Sequence, residues 1–408
     1  MDDLRERLRA LPCGRRLLEA AAGIDGVHLV GGAVRDLLLG REPGELDVVV
    51  EGDLEELATR LGGVADRVAH ERFGTATMRA GDCRWDLAAS RGETYARPGA
   101  LPDIFAAGID RDLARRDVTV NAIALDLCTG GLRAAEHAEE DLRAGRLRVL
   151  HDASFTDDPT RLWRVARYAA RLGFELEPHT AALAARAVDD GAPDTVSGTR
   201  IGNELRLALH EPDPVVALER AVALRLAPWL APDRALAERA LALLPTGEGR
   251  RDLLVLAASL AAADPDSDDV LARLEFSAPE RAIVRAAVRA PALEDDDARP
   301  PSALARALRG LPVEAVALAG ARGAAETARR WLHELRDVGL RISGDDLIAA
   351  GIPEGPELGS RLRAVLDLRL DGALAEGRDA ELHAALAERP EAGATRRRAR
   401  NLLHGDDT

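Results

Sequence analysis

At 408 residues the chain is too long for one ordinary domain, and 47% hydrophobic residues give it ample core material. Aromatic residues are only 3%, so that core is built from Leu, Ala and Val, a composition suited to packed helices. A formal net charge of −15 argues against a protein that coats nucleic acid everywhere, but leaves room for a local basic groove.

Every Lys-or-Arg position is arginine, which favours bidentate contacts to phosphates or base edges; compositional bias explains the preference equally well. Cys13, Cys83 and Cys128 are too few and too scattered for a disulfide framework or a zinc site. The first residues, MDDLRERLRA, are charged rather than signal-like, and no apolar run reaches membrane-spanning length. These features predict a soluble, cytoplasmic protein with no membrane partner.

From the N-terminus, strand-like runs alternate with helix-like ones: VHLV (27–30), a Gly31-Gly32 pair, LDVVV (46–50), FGTATMRA (73–80), RWDLAA (84–89) and VTVNAIALDL (118–127). Residues 1–150 therefore read as a small α/β domain. From His151 onward strand signals fade, and RLWRVARYAARLGF (161–174) and IGNELRLALH (201–210) carry apolar residues at helical spacing. Pro, Asp and Ser clusters at 210–214, 264–269 and 294–302 break the helical part into segments. Order is expected to end near Pro390, leaving an arginine-rich tail that is either a solvated end or an RNA contact.

Gly31 and Gly32 lie between a strand and a helix, where a backbone free of Cβ can approach a phosphate; a plain tight turn fits about as well. Glu45 and Asp47 are two apart, so on one strand both carboxylates share a face and can hold Mg²⁺, with Asp86 on a later strand as a third acid. In the helix after Asp158-Pro159, Leu162, Val165, Ala166, Ala169 and Leu172 share one face; Arg161, Arg164, Arg167 and Arg171 share the other, as a solvated face or as a wall for an anionic ligand. Asp158 before Pro159 also fits a helix cap. Tyr95 and Trp163 are open to base stacking or to packing, and His28, His137, His151 and His179 are too scattered to be assigned chemistry.

GGAVRDLLLG followed by the acid-x-acid pair resembles the signature of class II tRNA nucleotidyltransferases and bacterial poly(A) polymerases. The resemblance continues through RGETYARPGALP, RRDVTVNAIALDL, DDPTRLWRVARYAARLGFELEP and VSGTRIGNEL, and returns in ISGDDLIAAGIPEGPELGSRLRAVLDLRLDGAL (342–374). It implies an α+β protein: a polymerase-β-like catalytic head over 1–150, then an all-helical neck (151–209), body (210–325) and tRNA-binding tail (326–390), with 391–408 as a mobile end. It further implies that Gly31, Gly32 and Arg35 serve the triphosphate, that Glu45 and Asp47 bind Mg²⁺, that Arg116 and Asp117 contact the ribose, and that Asn121 belongs to the nucleotide-binding set. Asp158 and Arg161 would read the base edge, with Arg164 and Arg167 beside them.

A carboxylate accepts from an exocyclic amine and a guanidinium donates to ring nitrogen and carbonyl, so one such pair suits both cytosine and adenine. The implied activity is template-independent addition of C or A from CTP or ATP to the 3′ end of tRNA, with poly(A) synthesis as the alternative on the same scaffold. A rival of another class is a catalytically degenerate RNA-binding protein. Two departures motivate it: Glu45 stands where the family usually has aspartate, and AAEHAEE (134–140) replaces the usual Asp-Pro and Gly-Gly pairs, a change expected to remove a turn between head and neck. Monomer and homodimer are both compatible with the sequence.

Overall fold

The computed structural model describes residues 4–62, 68–70, 74–260, 267–296 and 298–387. The arginine-rich segment 391–408 lies outside the described residues. The chain divides into two compact units, one formed by Met1–Arg234 with Ala258–Ala282 and the other by Ala235–Ala257 with Ile283–Thr408.

In the first unit, α1 (Leu4–Ala10) and α2 (Pro12–Ala21) precede β1 (Val27–Val30), whose four residues are all buried. A strand buried on both faces reads as a continuous apolar run, which is why VHLV lacks alternation. After the glycine pair come α3 (Gly32–Leu38), β2 (Leu46–Val50), α4 (Leu54–Leu61), β3 (Val68–His70), β4 (Thr75–Ala80) and β5 (Cys83–Ala89). A hairpin of β6 (Arg91–Thr94) and β7 (Asp103–Ala106) leads to α5 (Ile109–Ala114), then β8 (Ile123–Asp126) and β9 (Leu132–Ala134). The main sheet is mixed, in the order β3-β4-β5-β2-β1-β8-β9. β2 runs antiparallel to β1 and parallel to β5, with Asp47 opposite Asp86. Two acids on neighbouring strands are thereby brought side by side.

Four sequence expectations change. VTVNAIALDL is a strand only from Ile123, because Thr119–Asn121 turns as a 3-10 helix while Asp117 Oδ1 accepts from Val118 N and Asn121 Nδ2. Glu45 lies outside the strand it was expected to share with Asp47, in the bend before β2 that follows Pro43-Gly44. Cys13 and Cys83, 70 residues apart, are joined as a disulfide, because α2 packs across β5 and Trp85 Nε1 donates to Cys13 O at 3.1 Å. The turn at 134–140 is kept: His137 adopts φ 63° at the start of α6 (Ala138–Ala144), a conformation that glycine reaches more readily.

The helices α7 (Ser154–Asp157), α8 (Thr160–Leu172), α9 (Pro178–Asp189) and α10 (Gly198–Leu209) complete the part of this unit that shapes the site. Leu162, Val165, Ala169 and Leu172 of α8 join the same apolar cluster as Leu29, Val48, Leu87 and Ile123 of the sheet. Trp163 is only 1% exposed, which settles it as a packing residue. Among the described residues no helix is long and apolar enough to cross a membrane. The second unit is helical, and one of its apolar clusters is formed by Ile342, Leu347, Val365 and Ala385. Two side chains tie its loops: Asp371 accepts from Ser302 N and Oγ at 2.8 Å, and buried Glu381 accepts from Arg341 N and pairs with Arg369.

Candidate active site

The β1–α3 turn is set by Gly31, whose φ is 69° and whose N–H donates to Ile123 O. The positive φ is what favours glycine there; a Cβ would also stand 2.8 Å from Arg116 Nη1 and displace the tip of that guanidinium. Arg35, one turn into α3, is buried; it pairs with Asp36, and its Nη1 donates to Asn121 Oδ1 at 2.6 Å. Asn121 passes the connection on through Nδ2 to Asp117 Oδ1 at 3.2 Å. A polar chain thus runs from the glycine turn through Asp117 to Arg164 of α8.

The acids are held more loosely. Burial and the charge of Glu45 push the Asp47 carboxyl above its usual range; Asp86 adds to this and Arg116 opposes it. Glu45 is exposed and lies 3.7 Å from Arg84, while Asp86 accepts from Thr77 Oγ1 at 2.5 Å and pairs with Arg84 at 2.8 Å. No group of three or more metal-binding side chains is preformed among the described residues. The donor set is nevertheless hard oxygen throughout, and the surplus negative charge around Asp47 is what a bound divalent cation would offset, so Asp47 and Glu45 fit such an ion once Glu45 turns from Arg84.

The neck side is dense with paired charge. Asp117 is 6% exposed and accepts from Arg164 Nε at 2.7 Å and Tyr168 Oη at 2.8 Å. Burial alone would raise its carboxyl, yet the Arg164 charge and the Tyr168 hydroxyl hold it well below the usual range. Arg167 donates to Glu204 and Glu211, each at 3.1 Å, and Arg171 grips Glu211 through two bonds of 2.7 and 2.8 Å. Three of the four arginines of the α8 stripe, Arg164, Arg167 and Arg171, are therefore paired with carboxylates, with Glu204 on α10 and Glu211 just beyond it, rather than forming a bare anionic-ligand wall. Arg161 is buried, with Nη1 donating to Ser154 Oγ and Nη2 to Arg115 O, both at 2.7 Å. Asp158 Oδ1 accepts from Thr160 N and Oγ1 and from Arg200 Nη2, so it holds the first N–H of α8 from one residue before the cap position, which Pro159 takes, while Oδ2 makes no hydrogen bond among the described residues.

These groups line one cleft of about 710 Å³. Of the residues singled out from the sequence, Gly31, Gly32, Arg35, Glu45, Asp47, Arg116, Asp117, Asn121, Asp158, Arg161, Arg164 and Arg167 all border it. Asp86 instead faces a second cavity of about 280 Å³, shared with Asp47, Thr77, Arg115 and Arg116. Tyr95 borders the main cleft; it donates to Glu93, and burial pushes its hydroxyl up to about 12. Sequence reasoning missed Arg115, Tyr168, Glu204, Glu211 and Arg200.

Residues 27–148 match a model of the poly(A) polymerase head domain. An A-adding tRNA nucleotidyltransferase of Geobacter sulfurreducens is 35% identical over 88% of this chain, which spans only 45% of that protein's length. A CC-adding tRNA nucleotidyltransferase of Deinococcus radiodurans is 34% identical over 92% of this chain and 94% of its own. The solved Thermotoga maritima CCA-adding enzyme complexed with tRNA superposes with a TM-score of 0.70 at 28% identity, covering 93% of this chain and 97% of that one. Sheet, glycine turn and acid-lined cleft are thus those of a nucleotidyltransferase head followed by helices. The chain belongs to the class II tRNA nucleotidyltransferase family, the family of the CCA-adding enzymes. Nucleotidyltransferases of this kind generally use a divalent metal.

Proposed function

We propose that this protein adds nucleotides to the 3′ end of tRNA, taking CTP or ATP without a template and releasing pyrophosphate. The observation that carries the reading is the single cleft in which the glycine turn, Asp47, Arg116, Asp117, Asp158 and Arg161 meet. Its domain plan is the head, neck, body and tail order expected from the sequence.

The triphosphate lies along the Gly31-Gly32 turn, where Arg116 stands close enough to meet it. Arg35, Asn121, Asp117 and Arg164 keep the floor of the cleft rigid beneath the sugar. Asp158 Oδ2 accepts from the exocyclic amine of cytosine or adenine, and Arg161, whose Nη2 keeps a second hydrogen while Nη1 also lies 3.5 Å from His151 Nε2, donates to the neighbouring acceptors. The RNA 3′-hydroxyl enters from the Asp86 side and attacks the α-phosphorus; a new P–O bond forms as the bond to the β-phosphate bridging oxygen breaks. Held by Asp47 and Glu45, Mg²⁺ would activate that hydroxyl and stabilise the charge on the leaving pyrophosphate.

One observation favours a second reading. Glu45 is off the strand and directed at Arg84, as expected of an acid released from catalysis in an RNA-binding protein. Purified protein should be given Mg²⁺ and labelled CTP or ATP with tRNAs lacking CCA, lacking only the last A, or complete. Addition to the first two identifies the tRNA enzyme and its C or A preference. Runs of A on unrelated RNA identify poly(A) synthesis, and binding without addition identifies the degenerate protein.

A further inference from the structure

We infer that Asp112 is the positioning residue that couples the two ends of the cleft, setting triphosphate affinity through Arg116 and base selectivity through Arg115 and Arg161; this rests on the nucleotide reading above. Asp112 does not border the cleft, and its side chain is fully buried on α5. Its Oδ1 accepts from Arg116 Nη2 at 3.0 Å. Its Oδ2 accepts from Arg115 Nε at 3.1 Å, Arg115 Nη2 at 2.7 Å and Arg91 N at 3.4 Å.

Residues three and four positions after Asp112 fall beside it on the helix, so one carboxylate can hold both guanidiniums, which would otherwise repel each other. The consequence differs for each arginine. Arg116 is turned toward the glycine turn, where its Nη1 stands 2.8 Å from the place a Gly31 Cβ would occupy. Arg115 is pinned between Asp112 and Glu93, which fixes its own carbonyl, and that carbonyl accepts from Arg161 Nη2 at 2.7 Å. One buried charge thereby places a donor at the phosphates and braces the arginine that faces the base. Burial would raise the Asp112 carboxyl, but the charges of Arg116 and Arg115 hold it below the usual range, so it stays ionised.

The test compares Asp112→Asn, Arg115→Gln, Arg116→Gln and Arg161→Gln by KM, kcat and the CTP/UTP and ATP/GTP preference, with folding checked by circular dichroism. Loss of one charge-assisted contact is worth about tenfold in affinity or selectivity. Arg116→Gln should raise the nucleotide KM about tenfold with selectivity kept, and Arg161→Gln should lower selectivity about tenfold with KM kept. Asp112→Asn should do both at once, with kcat for the correct nucleotide changing less than KM, and Arg115→Gln should lower selectivity alone. A folded Asp112→Asn protein with unchanged KM and selectivity, or with only a lower kcat, overturns the inference. Should Asp112→Asn not fold, unchanged selectivity in Arg115→Gln overturns it instead. If Arg116→Gln and Arg161→Gln are themselves silent, the nucleotide reading of the cleft fails and the coupling falls with it.

Discussion

The two ends of the cleft are built on opposite principles. At the arginine end most buried charges meet an opposite one: Asp117 with Arg164, Glu211 with Arg167 and Arg171, Glu204 with Arg167; Arg161 is held instead by neutral acceptors. Such a lattice holds its geometry before any ligand arrives, which is what selective recognition requires. At the acid end, Asp47 is crowded by Glu45 and Asp86 and partly relieved by Arg116 and Arg84. Like charges gathered in a partly buried place destabilise the fold and are kept only where something else gains. The head end carries stored electrostatic cost; the neck end carries rigidity.

The largest effect should come from the acid end. Asp47→Ala is expected to lower transfer by about 10³-fold or more, since it removes the central carboxylate beside the reacting phosphate. Glu45→Asp should leave transfer intact or improve it by up to about 10²-fold, because a shorter side chain changes carboxylate placement by roughly an ångström. Single-turnover rates against Mg²⁺ concentration check both. In metal-free buffer, Asp47→Asn should raise the urea midpoint while transfer is lost; a lowered midpoint would mean the acid end is not under strain. The arginine end should behave in the reverse way. Glu211→Ala leaves Arg171 without its carboxylate and Arg167 with Glu204 alone, and is expected to cost about 1–3 kcal/mol in urea unfolding.

This contrast also explains what the sequence revealed. β1, β2, β4 and β5 were legible because buried strands are continuous or alternating apolar runs, and Gly31 because a glycine pair between a strand-like and a helix-like run marks a turn with positive φ. Cleft residues were legible where they sit in local motifs, as Arg116, Asp117 and Asn121 do. Glu204 and Glu211 were not, because a glutamate on an amphipathic helix, or just past its end, reads as solvated until a distant helix packs against it. The β6–β7 hairpin was missed because RGET and DIFA lack period-two alternation, and the Cys13–Cys83 link because contact between α2 and β5 is purely tertiary. Glu45 was misplaced by its neighbour: an acid-x-acid pair implies one strand only if the backbone is already extended at the first acid, and Pro43-Gly44 delays that by one residue.

Acid should separate the two ends next. The Asp117 carboxyl lies below its unfolded value, so its contribution to stability is complete above about pH 4 and is lost as pH falls through the folded value. Tyr168→Phe removes one donor to Asp117 but leaves Arg164, which should cost about 1 kcal/mol at neutral pH. The same change should shrink the loss of stability between pH 4 and pH 2. Urea midpoints across that range measure both, and an unchanged acid slope would show that the hydroxyl does not hold the carboxylate.

The smallest effect concerns neither end but the connection at 134–140. There the turn survives with a histidine in the left-handed region, at φ 63° and ψ −4°. For a residue with a Cβ that conformation costs about 1–2 kcal/mol, although histidine tolerates it better than most. The His137 side chain offers little in return: its ring lies 3.7 Å from Glu136 and 3.4 Å from Glu140, at 44% exposure, where such pairs contribute weakly. His137→Gly should therefore stabilise the protein by about 0.5 kcal/mol, after the extra entropy that glycine gives the unfolded chain is set against the relieved strain. His137→Ala keeps the Cβ and loses the ring, and should not stabilise. If Ala and Gly act alike in urea unfolding, the backbone is not strained and the histidine is simply a tolerated surface residue. If only Gly stabilises, the turn is a preserved element of the fold whose residue has drifted, and the connection between head and neck has kept its shape.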